Sequence, residues 1–121
     1  MVIEKLRINI LVIEKDKEPY ELNVRNMLEK FREIIGTNEI EVDILEKDIL
    51  LIYDANGTKK EIPTNRILNG TYKIRGTFIL AGNDEYHQDF IDLSKENMKK
   101  YKNEFSIEKE IKNELGDEME F

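Results

Sequence analysis

The chain contains no cysteine, one histidine and two prolines in 121 residues. Without cysteine, disulfides and thiolate metal sites are excluded, which suits a reducing cytosol. Long apolar runs are also missing, and none approaches the ~20 residues of a membrane helix. The first residues, MVIEKLRINI, are apolar but interrupted by Glu4, Lys5 and Arg7, so they lack the order of a secretory signal. A cytoplasmic protein without membrane attachment is expected. Basic charge is scarce too, with 19 Lys and Arg against 26 Asp and Glu, a formal net charge of −7. A general nucleic-acid binder carries a basic face, so direct nucleic-acid binding is not expected. Net acidity reads first as solubility and second as an acidic surface that imitates nucleic acid.

Catalytic patterns are equally thin. His87 stands alone between Tyr86 and Gln88, and reads as an exposed loop histidine rather than a general base or ligand. No serine elbow, phosphate-cradling glycine loop or metal-spaced His/Asp set is present. Asp84, Glu85, Asp89 and Asp92 cluster near His87, but their spacing matches no calcium loop. The expectation is a protein that is not an enzyme and holds no cofactor or metal.

What is present is the make-up of one domain, long enough to hide roughly two-thirds of its unfolded surface. Leu6–Glu14 has apolar residues on both parities (Ile8, Ile10, Val12 against Leu11, Ile13), the mark of a strand buried on both faces. Tyr20–Val24 alternates as a half-buried strand, after Pro19. Met27, Leu28, Phe31, Ile34 and Ile35 form one helical stripe ending at Gly36, which predicts a helix over Asn26–Ile35. Ile40–Ile44 alternates with acids, and Ile49–Tyr53 is more fully apolar. Asp54-Ala55-Asn56-Gly57 signals a hairpin turn. Glu61–Arg66 reads as a crossing loop, Thr71–Ala81 as one strand with a bulge at Gly76, and Gly82–Gln88 as a polar loop. Phe90, Leu93, Met98, Tyr101 and Phe105 form a core stripe, with Ser94 as a helix cap. These elements predict an α+β domain over residues 1–105, a mixed or mainly antiparallel sheet of about five strands packed by two helices. Residues 106–121 are expected to add an amphipathic C-terminal helix with a frayed tail. Its stripe of Ile107, Ile111 and Leu115 must cover something, either this sheet or a second copy in a homodimer.

One segment opposes the overall charge. From Lys59 to Arg75 lie Lys59, Lys60, Arg66, Lys73 and Arg75 against the single acid Glu61. Arg66 follows Pro63-Thr64-Asn65, a rigid turn that would aim its guanidinium, whose planar fork suits phosphate or carboxylate. Thr64, Asn65, Gly76 and Thr77 offer neutral donors nearby, and Lys73 and Arg75 would share one face of a strand. The segment reads either as a small cationic receptor for one anionic ligand, or as a structural loop in which Arg66 is tied up internally.

Several of these pieces occur together elsewhere. Ile10–Glu14 leading to Glu18-Pro19-Tyr20, the helix ending at Gly36, Pro63-Thr64-Asn65-Arg66, Gly76-Thr77-Phe78-Ile79 and Asp92-Leu93-Ser94 resemble a bacterial and phage family, domain of unknown function 3846. The resemblance covers about Ile8 to Phe105 and leaves out the Ile107–Leu115 helix. It implies a setting on phages and other mobile elements, where small accessory proteins antagonise host immunity. Two routes fit: sequestration of a nucleotide-type signal by Thr64, Asn65, Arg66, Lys73, Arg75, Gly76 and Thr77, or blockade of a host defence protein through an acidic or apolar surface.

Overall fold

A computed structural model of the chain describes residues 6–87 and 89–118, with side chains to residue 112. The expected α+β class holds, with more strands than anticipated. In chain order the elements are β1 Arg7–Ile13, β2 Tyr20–Arg25, α1 Leu28–Ile35, β3 Ile40–Glu46, β4 Ile49–Asp54, β5 Thr64–Leu68, β6 Tyr72–Arg75, β7 Phe78–Asp84, β8 Asp89–Ile91, α2 Lys95–Glu104 and α3 Ile107–Glu118. Six strands form one sheet in the order β2-β1-β7-β4-β3, with β8 added on β7, and β5 and β6 form a separate two-stranded sheet. Every pairing is antiparallel.

The double parity of β1 has its structural counterpart. Ile8, Ile10 and Val12 pack with Val24, Ile52, Ile79 and Phe31 of α1 on one face. Leu11 and Ile13 pack with Phe78, Leu80 and the α2 residues Met98, Tyr101 and Phe105 on the other. Phe31 is the buried residue of α1, and its ring meets Phe90 edge-on at 5.1 Å. Truncating such a side chain costs about 3–5 kcal/mol.

Helix ends follow local chemistry. Gly36 closes α1 with φ 83°, its N–H reaching the Arg32 carbonyl. The helix starts later than the apolar stripe implies, because the Asn26 N–H bonds to the Leu6 carbonyl and its side chain to the Phe90 carbonyl. Ser94 caps α2, its Oγ accepting from the Asn97 N–H at 3.1 Å. Just before it, Asn9 of β1 donates to Asp92 Oδ1 at 2.7 Å and accepts from the Leu93 N–H at 2.9 Å. That pair of bonds moors the start of α2 to the sheet.

The middle of the chain departs from its sequence reading in four places. The Asn56-Gly57 step does not close a hairpin. Residues 55–61 wind through successive turns, the positive φ falls on Glu61 (56°), and the chain leaves the main sheet. Thr64–Leu68 is a strand rather than a loop, paired with β6. The Thr71–Ala81 run is cut at Gly76, whose φ of 73° turns the chain from β6 on the small sheet to β7 on the large one. β7 itself runs on to Asp84, through part of the expected polar loop. The tail expectation reaches residues 119–121, and the loop expectation includes Gln88; these lie outside the described residues.

Candidate functional site

The β5–β6 hairpin is fastened over the α2 face of the sheet by buried polar side chains together with Ile74 and Leu68, which join the core there. Asn65 is 2% exposed and donates through Nδ2 to the Ile13 carbonyl at 2.9 Å and the Gly76 carbonyl at 2.8 Å. Arg66, 1% exposed, uses all three of its nitrogens: Nε to the Phe105 carbonyl at 2.9 Å, Nη1 to the Asn65 carbonyl and Oδ1, and Nη2 to the Lys17 carbonyl at 2.6 Å. One guanidinium thus ties β5 to the end of α2 and to the β1–β2 turn. Burial pushes its pKa below the usual arginine value, against the field of Glu110, Glu18 and Asp16, which favours the charge. The planar fork anticipated for an anion is filled by backbone carbonyls. Thr64 and Gly76 belong to the same fastening, Thr64 paired with Arg75 across the hairpin and the Gly76 N–H donating to the Pro63 carbonyl at 3.2 Å. Thr77, half-buried, is the link into β7.

The remaining two of the seven anticipated residues, Lys73 and Arg75, line a cleft of about 480 Å³ between the hairpin and β3–β4. Alternation puts both on the same side of β6. Arg75 Nη1 donates to the Ile62 carbonyl at 2.8 Å, and the backbone of the Asp54–Lys60 turn packs close beside it, since a Cβ on Gly57 would lie 3.2 Å from Arg75 Cβ. Among the described residues neither Lys73 nor Arg75 forms an ion pair. Lys60 differs, bonded to the buried carboxylate of Asp54 at 2.7 Å.

The cleft also presents groups that the sequence reading did not single out: Asp43 and Tyr53 on the β3–β4 wall, Thr58 on the turn, and Tyr72 on β6 beside the cations. The Tyr53 hydroxyl donates to Asp43 Oδ2 at 2.6 Å. Burial first, then this bond to a carboxylate, raise the Tyr53 pKa well above an ordinary phenol. Tyr53 is thus held as a neutral donor to Asp43. Leu51, Leu68 and Ile74 add apolar lining. Tyr72 is 66% exposed at the rim, available to stack on a planar group. Sequence alternation alone places Asp43 and Tyr53 on strands. Only the β3–β4 register, Asp43 against Leu51, sets them on the cleft face.

Three of the four acids near His87 are engaged locally. His87 Nδ1 contacts Asp84 Oδ2 at 2.8 Å, a bond that holds the Asp84 carboxyl below its usual range. Asp89 accepts from the Phe90 N–H and Asp92 from Asn9. Among the described residues no three His, Cys, Asp or Glu side chains converge on a metal-sized site, and no helix is long and apolar enough to cross a membrane.

Comparison with curated proteins and with solved structures finds no match. Comparison with protein families does, over residues 8–106, which take in both sheets, α1 and α2 and stop where α3 begins. By that match the chain belongs to the family described as a domain of unknown function (DUF3846).

Proposed function

We propose that this protein binds, without chemical turnover, one anionic nucleotide-type small ligand in the cleft between the β5–β6 hairpin and β3–β4. The observation that supports the reading is the pair of cations on one wall, Lys73 and Arg75, which form no ion pair among the described residues. A phosphate would sit on them, and a planar base would lie against Tyr72 over the apolar lining. Arg66 and Asn65 contribute by holding that wall in place. In the setting implied by the resemblance, a phage or mobile-element accessory protein, capture of such a ligand antagonises host immunity by sequestering a signal.

A thermal-shift series against linear and cyclic nucleotides tests this. Ligand at a hundredfold excess over Kd stabilises the folded state by about 2.7 kcal/mol, on the order of 10 °C for a domain of this size. The shift should vanish in Lys73→Glu, whose own melting temperature should stay close to wild type because Lys73 is exposed. An unchanged melting temperature across the whole panel would end the proposal.

A second reading, an acidic inhibitor that blocks a host defence protein, is favoured by the acids on the exposed strand β3. It predicts a complex with that protein on size exclusion that Lys73→Glu leaves intact.

A further inference from the structure

The outer edge of β3, whose Asp43 and Ile44 also line the cleft, carries a second observation. β3 ends the six-stranded sheet, with β4 as its neighbour among the described strands. The Ala55 N–H donates to the Glu39 carbonyl at 2.9 Å, in step with the register Ile40↔Asp54, Val42↔Ile52, Ile44↔Leu50. That bond sets the phase of the ladder, because hydrogen-bonded and non-bonded pairs alternate in an antiparallel sheet. Glu41 and Asp43 turn their backbone groups toward β4. Ile40, Val42 and Ile44 turn theirs outward.

The side chains divide in the same way. Val42 and Ile44 lie on the α1 face yet are 38% and 69% exposed, beyond the cover of that short helix. Glu41 and Asp43 lie on the opposite face, both exposed. The strand IEVDILE has three acids and no base. Edges of natural sheets are commonly blunted by lysine, proline or bulges. Here the one bulge falls at the end of the strand, between Ile44 and Glu46.

We infer that β3 is a docking edge for an extended basic segment of another protein, one alternating Lys or Arg with β-branched apolar residues. Such a segment adds a seventh strand by main-chain bonds to Ile40, Val42 and Ile44. Its apolar residues cover Val42 and Ile44, and its cations face Glu41 and Asp43. Charge excludes a second copy as occupant. Pairing β3 with itself about Val42 sets Glu41 opposite Asp43, and like charges directly opposed destabilise a sheet. The registers shifted by two residues, which keep outward groups facing each other, set Glu41 against Glu41 or Asp43 against Asp43 and carry the same repulsion.

Residue-resolved amide exchange of the full chain tests this with two blocked hexapeptides, one alternating Lys and Val, the other Glu and Val. The Lys-Val peptide should slow exchange at the Val42 and Ile44 amides at least tenfold, and the Glu-Val peptide should not. Val42→Pro should abolish the effect with the fold retained, since an outward N–H is the one donor an edge strand can lose. Should Val42→Pro fail to fold, Glu41→Lys decides, because it must weaken the response to the Lys-Val peptide at least fivefold. Protection by neither peptide, equal protection by both, or protection that grows with protein concentration in the absence of peptide would each overturn the inference.

Discussion

At the scale of single residues, the most informative side chain is Arg66. Its residue type and the preceding Pro-Thr-Asn sequence suggest an anion receptor, and either role, binding or structural, is compatible with the sequence. Burial decides what the guanidinium does here: at 1% exposure its nitrogens face the carbonyls of Phe105, Asn65 and Lys17. Lysine cannot reproduce a planar fork that reaches several acceptors at once. Arg66→Lys is therefore expected to cost about 2–5 kcal/mol, read as a lower urea midpoint. A midpoint within error of wild type would show that the fork is dispensable. Glu46 gives a pH-dependent counterpart. It accepts from the Tyr101 hydroxyl and from Lys100 Nζ at 3.0 Å, and the tyrosine bond first, then the lysine bond, hold its carboxyl below the usual range. A depressed carboxyl contributes stability that is complete above its unfolded pKa and is lost as pH falls through the folded one. Wild type should thus lose more stability than Glu46→Gln between neutral and acidic pH. Parallel pH profiles would exclude the contribution.

Elements show how closely local signals and long-range contacts agree. The β1 parity, the Gly36 stop and the Ser94 cap are short-range patterns that the structure realises, whereas the α1 stripe packs inward at Phe31, Ile34 and Ile35 and is exposed at Met27 and Leu28. β5 was not legible as a strand because its inward side chains are polar. Asn65 and Arg66 are buried only because carbonyls of Ile13, Phe105 and Lys17, far off in sequence, satisfy them. Gly82 has a similarly non-local reason. A Cβ there would lie 2.2 Å from the Asp92 carbonyl oxygen and 2.9 Å from its carbon. Gly82→Ala must therefore push β8 and Asp92 away from β7 and disturb the Asn9 bonds that moor α2. The expected cost is about 2–4 kcal/mol, with faster amide exchange at Leu93 as the local signature. An alanine variant as stable as wild type would mean that this junction gives way freely.

For the whole molecule, the open matter of association falls on α3. Its Ile111 is 48% exposed, on a helix that lies outside the family match; Leu115 lies outside the residues whose side chains are described. A homodimer through Ile107, Ile111 and Leu115 predicts twice the monomer mass of 14.4 kDa by light scattering, reverting to the monomer in Ile111→Glu. A monomer at millimolar concentration would remove that expectation, and leaves both the cleft and the β3 edge untouched.

Local periodicity and turn chemistry by themselves determined the α+β class, the doubly buried first strand, both core helices and the one cation-rich stretch. Those features depend on neighbours a few residues apart, which a linear chain displays directly. Tertiary structure alone decided that Arg66 and Asn65 lie inside, that Lys73 and Arg75 share a cleft with Asp43, Tyr53 and Tyr72, and that β3 is left at the edge. Strand order settles all three, and strand order follows from which distant surfaces exclude water together.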